Sequence, residues 1–295
     1  LEGDAPICIG LLSNPMAATN WRSVAHRRLV HLLPDPSLAI STPSVSHVDQ
    51  ALERLLIGSG CNVLAINGGD GTIHTTLQAL IRLLGNRGLK ASLPTLLFLN
   101  GGGMNMLART FDTRGHPVKT LARFVAWTRG RTYGEIERRS VPLLAVKEGD
   151  ETQRYGVIFG SELVLNALTM YERFGRGYRG LSRLLAEVVL GSVMKTETWK
   201  TFHHLLDPPR HPLSLEGGPP TAYMCAVAST VPMTLALGTV RTLTRHARPG
   251  YFESMIIEPR DVSGLVQLIP GLMMERPQPG VMSCSDVGSI ALRGS

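Results

Sequence analysis

Hydrophobic residues in the first half of the chain follow two alternating patterns. Short apolar runs of strand length occupy residues 7–12, 37–41, 62–66 and 94–99. Between them, apolar residues recur every three or four positions, as on one face of a helix, over residues 21–33, 51–56 and 73–84. Strands that alternate with helices favour a parallel sheet covered on both faces. We therefore predict an α/β fold whose N-terminal domain, residues 1–138, has three layers and a mainly parallel sheet.

The pattern changes after residue 138. Two short β-type runs, 141–146 and 154–159, flank a polar turn as in a hairpin. Residues 181–194 have a helical pattern, whereas 206–220 is rich in Pro and Gly and is predicted to be an exposed loop. Further runs that alternate or look strand-like lie at 196–206, 223–228, 252–258 and 287–292. We predict a second domain, residues 139–295, that is β-rich, sandwich-like and dominated by antiparallel strands.

Composition and charge narrow the class of protein. The 295 residues are 43% hydrophobic, enough to bury the cores of two domains, and no apolar run reaches the roughly eighteen residues that cross a bilayer. A net charge of +7 suits nucleotides or anionic lipid headgroups. Only 5% of residues are aromatic and none are interleaved with a basic stretch, so nucleic acid is not an expected partner.

The four cysteines have neither metal nor disulfide spacing along the sequence. They are typical of reduced thiols in the core of a cytoplasmic protein. The sequence therefore predicts a cytoplasmic location, either free or peripheral at a membrane.

A glycine-rich turn follows the third apolar run, with the sequence Gly68-Gly69-Asp70-Gly71-Thr72. Glycines let backbone N–H groups converge on a phosphate, and the N-terminus of the following helix favours an anion at the same place. Asp70 would repel phosphates unless a cation lay between them, which indicates Mg²⁺ or a role in positioning phosphate-transfer chemistry. The competing interpretation is an ordinary tight strand-to-helix turn.

A second glycine cluster, residues 100–105, follows the fourth apolar run and ends at Asn105, a candidate cap for the next helix. The first and second runs end near Asn14 and Thr42. In open parallel sheets, ligands bind at the carboxyl ends of the strands. We therefore expect these four segments to line one crevice.

These four segments, in the order in which they occur along the chain, resemble the motifs of the diacylglycerol kinase catalytic-domain family. That family includes sphingosine, ceramide and bacterial lipid kinases. The pentapeptide at residues 68–72 is shared with NAD kinases, whereas the second cluster is similar to that of the lipid kinases. Its matching positions are Gly102, Gly103, Asn105, Ala108 and Arg109. Asn14-Pro15 and Thr42 resemble the turn after the first strand and the nucleotide-contacting threonine of the family.

The resemblance implies an ATP-dependent kinase that transfers the γ-phosphate to a lipid hydroxyl of diacylglycerol or sphingoid type. It implies ATP and Mg²⁺ as cofactors. ATP would be held by Asn14, Thr42, Gly68, Gly69, Asp70, Gly71, Thr72, Gly102, Gly103 and Asn105. Asp70 would be the catalytic and metal-binding acid. A lipid would enter from the second domain.

Three departures from the family's motifs qualify this interpretation. The Asp-Gly-Glu motif that carries the family's catalytic base occurs nowhere in these residues, so we expect either a chain trimmed at its C-terminal end or nucleotide binding with feeble turnover. Met16-Ala17-Ala18 replaces a Ser-Gly pair, and Pro249 replaces an aspartate that helps hold a structural magnesium. An NAD kinase and a non-catalytic nucleotide- or lipid-binding regulator remain alternatives.

The arginines at 173, 176, 179 and 183 flank an apolar helix that contains Leu184 and Val189. Arginines beside apolar residues suit an anionic membrane, although the solvated edge of a core helix accounts for the same pattern. An exposed edge strand in the β-rich half would allow a homodimer.

Overall fold

The computed structural model describes residues 3–17, 20, 25–86, 93–103, 105–113, 115–174, 177–207, 211–235, 240–243, 247–274, 276 and 278–292. The chain divides into two compact units, Leu1–Ser140 and Val141–Ser295. The predicted start of the first helix, at residues 21–24, lies outside the described residues, as do Ala18, Met104 and Arg176.

Four parallel strands form the sheet of the first unit. They are β1 (Ile9–Ser13), β2 (Ala39–Ser41), β3 (Val63–Gly68) and β4 (Thr95–Asn100). Their spatial order is β2-β1-β3-β4, so the order of connection reverses between β1 and β3. Ligands of open parallel sheets bind outside the carboxyl ends of the strands at such a reversal. The loops after β1 and β3 are therefore the expected place for a ligand.

Helices cover both faces of this sheet, which is why β1 and β3 are buried at every position. The described helices of this unit are α1 (Ala25–Val30), α2 (Ser46–Leu52), α3 (Asp70–Asn86), α4 (Met106–Thr110) and α5 (Pro117–Thr128). On one face Leu11 packs in a cluster with Leu29 of α1 and Leu121 of α5. On the other face, Leu55, in the π-helical continuation of α2, contacts Gly10.

Antiparallel strands build the sheets of the second unit. The largest sheet has the order β14-β13-β10-β7 and consists of β7 (Ile158–Gly160), β10 (Cys225–Ser229), β13 (Phe252–Ile257) and β14 (Val281–Val287). A three-stranded sheet has the order β15-β8-β9 and consists of β8 (His211–Leu215), β9 (Thr221–Tyr223) and β15 (Ile290–Leu292). The predicted α/β fold class, with a parallel sheet followed by antiparallel ones, is confirmed.

Two smaller antiparallel pairs complete the described strands. They are β5 (Leu144–Val146) with β6 (Arg154–Gly156), and β11 (Met233–Leu235) with β12 (Val240–Leu243). The first pair confirms the hairpin predicted from the apolar runs around a polar turn.

Helices contribute more to the second unit than the sequence indicated. The described ones are α6 (Leu163–Phe174), α7 (Gly177–Met194), α8 (Glu197–Phe202) and α9 (Val262–Met273). Met170 of α6, Leu184 of α7 and Trp199 of α8 share one buried cluster. Among the described residues, no helix is both long enough and apolar enough to cross a membrane.

Two sequence predictions for this unit are wrong. Residues 196–206 do not form an extended segment: Thr196 Oγ1 accepts a hydrogen bond from Trp199 N at 3.1 Å and caps α8, which leads into a 3₁₀ turn, His203–Leu206. Residues 206–220 are not all loop, because β8 lies within them and pairs with both β9 and β15. A capping hydroxyl in the first case, and strand pairing with distant segments in the second, outweigh the local pattern.

Candidate functional site

The two glycine clusters of the first unit are in direct backbone contact. A Cβ atom at Gly102 would lie 2.3 Å from Gly69 Cα, and one at Gly69 would lie 3.1 Å from Gly102 Cα. A Cβ contact of 2.3 Å essentially never occurs and one of 3.1 Å is unusually tight, so the loops after β3 and β4 meet this closely because both positions are glycine. The predicted meeting of the two clusters at one edge of the sheet is confirmed.

Asp70 connects the same two loops through its side chain. It is the first residue of α3, where an acid is favoured by the positive end of the helix dipole. Its Oδ2 accepts a hydrogen bond from Met106 N at 3.1 Å, and its Oδ1 accepts one from Leu107 N at 2.9 Å. The carboxylate thereby satisfies the first N–H groups of α4, which are consequently not available to a phosphate.

Asn105 does not cap α4 with its side chain, contrary to the sequence prediction. Its backbone is left-handed, with φ 52°, which turns the amide back towards the glycine cluster. Asn105 Oδ1 accepts from Gly102 N at 2.7 Å, and its Nδ2 donates to Gly102 O at 2.9 Å. Asn105 therefore closes the loop after β4, and Asp70 caps the helix in its place.

Gly68 and Thr72 bring the loop after β1 into the same assembly. A Cβ atom at Gly68 would lie 2.4 Å from Thr72 Cβ, so the side chain of Thr72 occupies the space that a side chain at residue 68 would need. Asn14 Nδ2 donates to Thr72 Oγ1 at 2.9 Å, while Asn14 N donates to Asn67 O at 2.9 Å. Asn14, Gly68 and Thr72 are thus brought together by the turn between β3 and α3.

The other residues predicted to bind the nucleotide are Thr42, Gly71 and Gly103. Thr42 follows β2 and is 3% exposed, and its Oγ1 donates to Ser13 O at 3.4 Å, so its hydroxyl bonds to the main chain of the neighbouring strand. Gly71 is exposed in the first turn of α3, with no described atom within 4 Å of the Cβ position. Gly103 is half-buried in the loop that Asn105 closes.

Sequence reasoning missed two buried asparagines beneath this site. Asn67 is fully buried, and its Nδ2 donates to Ser13 Oγ at 2.9 Å; Asn20 Nδ2 donates to Asn14 O at 2.7 Å. A Cβ atom at Gly101 would lie 2.6 Å from Asn67 Oδ1, so the first glycine of the second cluster makes room for this amide. A polar residue near the end of the otherwise apolar β3 was the signal available in the sequence.

The described side chains provide only part of a magnesium site. Within the described ranges, no three histidine, cysteine or acidic side chains gather as a metal site. Each Asp70 oxygen accepts one N–H group, and a carboxylate oxygen has two lone pairs, so one position on each oxygen remains for a cation. Mg²⁺ commonly binds through one carboxylate together with substrate phosphates and water. Asp70 suits that arrangement and not a cage made of protein alone.

Comparisons with known proteins agree with this geometry. The statistical model of the diacylglycerol kinase catalytic domain matches residues 9–132. No curated protein sequence gave a significant match. Among solved structures, one described as a "putative diacylglycerol kinase" from Bacillus anthracis strain Sterne is similar with a TM-score of 0.62 and 13% identity, over 97% of this chain and 85% of that one.

A second solved structure, described as a diacylglycerol kinase from the same strain, has a TM-score of 0.59 at 13% identity, over the same shares of both chains. At such low identity these structures support the fold alone. The family match covers β1 to the end of α5 and includes both glycine clusters. The resemblance of residues 9–132 to the diacylglycerol kinase catalytic-domain family is therefore confirmed.

Proposed function

We propose that the protein is an ATP- and Mg²⁺-dependent lipid kinase that transfers the γ-phosphate of ATP to a lipid hydroxyl of diacylglycerol or sphingoid type. The observation that carries this proposal is the contact between Gly69 and Gly102, with Asp70 bonded across it to the start of α4. Two glycine loops that are held together at the carboxyl ends of parallel strands offer backbone close to a phosphate chain.

The residues of the first unit would bind and align the nucleotide. The phosphates would lie over residues 68–72 and 102–105, at the start of the 17-residue helix α3, whose dipole favours an anion. Asp70 would hold the loops in register and offer its remaining lone pairs to Mg²⁺, which neutralises phosphate charge when it is bound. Phosphoryl transfer depends mainly on such alignment and charge neutralisation.

The second unit, Val141–Ser295, would supply the lipid site. Apolar side chains of the kind that contact an acyl chain are exposed in this unit, among them Leu165 and Leu168 of α6. In this division the first unit is the nucleotide-binding domain and the second is the substrate domain.

The proposal is tested first by titrating ATP·Mg²⁺ against the wild type and Asp70→Ala. We expect affinity to fall about tenfold or more, because the variant loses a charge-assisted bond pair between the loops and a metal ligand. Asp49→Ala is the matched control, since Asp49 is an exposed acid of the same unit that pairs with Arg82 at 3.0 Å. Equal affinities for the wild type and Asp70→Ala would remove the phosphate site from Asp70.

The acceptor is tested by supplying labelled ATP with diacylglycerol, a sphingoid base or NAD. We expect label to enter a lipid product. Label in NADP would favour the NAD kinase alternative, and ATP binding without transfer to any acceptor would favour a nucleotide-binding regulator.

A further inference from the structure

Two cysteine thiols lie against each other at the amino ends of the two central strands of the parallel sheet. Cys8 immediately precedes β1, Cys61 lies two residues before β3 begins, and their Sγ atoms are 3.4 Å apart. They are 53 positions apart in the sequence, and the pairing of β1 with β3 brings them together. The proposed phosphoryl transfer uses neither thiol, so the pair calls for a role of its own.

One buried asparagine fixes the main chain around both cysteines. Asn62, which is 4% exposed, accepts from Cys8 N at 2.9 Å through Oδ1 and donates to Pro6 O at 2.8 Å through Nδ2. Its backbone N donates to Cys8 O at 3.1 Å, and Cys61 N donates to Leu55 O at 2.9 Å. The two thiols are therefore held close together by the fold and do not depend on a chance encounter.

The space around the sulfur atoms suits a covalent bond between them. Because a disulfide has an S–S length of about 2.05 Å, two sulfur atoms that are 3.4 Å apart need to approach by only about 1.4 Å. Gly10 borders the pair, since a Cβ atom at Gly10 would lie 3.2 Å from Cys61 Sγ. The missing side chain at Gly10 leaves room for this movement.

The two thiols differ in exposure and in acidity. Cys8 is half-buried, whereas Cys61 is 5% exposed. Burial, followed by the adjoining Cys8 thiol and the charge of Asp35, raises the pKa of Cys61 to about 12; Arg54 in turn acts on Asp35. Since the thiolate is the nucleophile, a small reagent reacts first at Cys8, and Cys61 reacts only after it loses its proton.

We propose that Cys8 and Cys61 form a reversible disulfide by exchange with a low-molecular-weight disulfide such as oxidised glutathione. The Cys8 thiolate attacks one sulfur of oxidised glutathione, so that a Cys8–glutathione bond forms, the glutathione S–S bond breaks and one glutathione leaves. The Cys61 thiolate then attacks Cys8 Sγ and releases the second glutathione. Two protein thiols are oxidised, one glutathione disulfide is reduced to two thiols, and these take up the two cysteine protons.

The bridge ties β1 to β3 at the end of the sheet opposite the glycine clusters. The covalent loop that it closes contains β2 and α2, and a link across a long loop restricts the unfolded chain and stabilises the fold. Strands rise about 3.3 Å per residue, so the five residues of β1 place the bridge about 16 Å from the turn at Asn14. The bridge consequently stabilises the first unit and leaves the proposed nucleotide site unchanged.

Mass spectrometry of the native chain after incubation with oxidised glutathione tests the proposal. The remaining thiols are blocked by alkylation, and peptides are mapped without reduction. We expect one disulfide, between Cys8 and Cys61, in at least tenfold excess over any other pairing. Four alkylated cysteines, or glutathione that stays on Cys8 of the wild type, would overturn the proposal.

Serine variants separate the two steps of the exchange. Cys61→Ser should keep glutathione on Cys8, because the thiol that displaces it is missing. Cys8→Ser should leave Cys61 unmodified at least tenfold longer, because Cys61 is buried. Cys284→Ser is the matched control: it removes another half-buried thiol, from the second unit, and should not change the yield of the bridge. A bridge that disappears in Cys284→Ser would contradict the pairing.

Urea-unfolded wild type shows how much the native geometry contributes. The unfolded chain should need a glutathione buffer about a hundredfold more oxidising to form the same bridge, because a fold that a disulfide stabilises favours that disulfide in return. The bridged protein should also unfold at a higher urea concentration than the reduced protein. Equal behaviour in either comparison would reject a stabilising bridge.

An ATP titration of the bridged and reduced forms should give equal affinities. Weaker ATP binding by the bridged form would contradict a bridge that leaves the proposed nucleotide site unchanged. The disulfide map and the urea midpoints do not require ATP to bind, so the bridge and the proposed kinase can fail independently.

Discussion

At the scale of single residues, the site depends on the absence of side chains as much as on their presence. Gly69 and Gly102 allow two backbones to touch, and Gly68 makes room for the side chain of Thr72. Each of these glycines is required by a close approach and not by an unusual backbone angle. A methyl group at any of them would have to displace backbone or a short side chain.

Gly102→Ala should therefore separate the two loops. We expect a loss of about 1–3 kcal/mol in the free energy of unfolding, the usual cost of overpacking, and weaker ATP binding. Gly85→Ala is the matched control, because Gly85 lies in α3 and has no described atom within 4 Å of its Cβ position. That change should be neutral or stabilise the helix by up to about 1 kcal/mol. Urea unfolding followed by ATP titration measures both effects, and equal stabilities of the two variants would contradict the close approach.

At the scale of elements, side-chain hydrogen bonds fix the loop between β4 and α4. Asn105 holds a left-handed backbone and bonds twice to Gly102, while Asp70 caps α4 from another element. The five-residue α4 is too short to be stable by itself, so its position depends on these bonds.

Two substitutions at Asn105 separate backbone strain from side-chain bonding. Asn105→Gly removes the bonds to Gly102 but accepts φ 52° without penalty, whereas Asn105→Ala removes the bonds and also strains the backbone. We expect the alanine variant to be less stable than the glycine variant by about 1–2 kcal/mol. Thermal unfolding of the two variants against the wild type measures the difference. Equal stabilities would indicate that the backbone at this position is not left-handed.

At the scale of the whole molecule, each unit buries a thiol whose ionisation opposes folding. Burial, together with the adjoining Cys8 thiol at 3.4 Å, raises the pKa of Cys61 to about 12. Burial alone raises the pKa of Cys225 to about 12. Cys8 and Cys61 are far apart in sequence, so their proximity was not visible from cysteine spacing.

Stability should consequently fall at alkaline pH. Below pH 9 these thiols are neutral in both the folded and the unfolded chain, so their contribution is complete. As pH rises from 9 towards 12, the unfolded chain releases the protons and the folded chain keeps them, and stability is lost. The urea midpoint, followed against pH, should decline less steeply for Cys225→Ala than for the wild type. Cys61→Ala, which removes the other thiol with a raised pKa, should flatten the decline in the same way.

The local sequence pattern determined which segments of the first unit became strands and where the glycine clusters stand. Periodicity and turn residues act over a few positions, and β1, β3, β4 and α3 were all recognised within a few residues of their ends. A parallel sheet then necessarily brings the clusters to one edge, because the carboxyl ends of its strands coincide.

Tertiary structure decided what each side chain at that edge does. Asp70 bonds to residues 36 and 37 positions away, and Asn67 bonds to Ser13 from 54 positions away, distances at which no local pattern carries information. For α8, the burial of Trp199 in a cluster with Met170 and Leu184 outweighs the alternating sequence. The sequence determined the elements because hydrophobic periodicity and turn residues act over a few positions. Only the tertiary structure decided the partners of Asp70, Asn67 and Trp199, because those contacts join segments that are far apart in sequence.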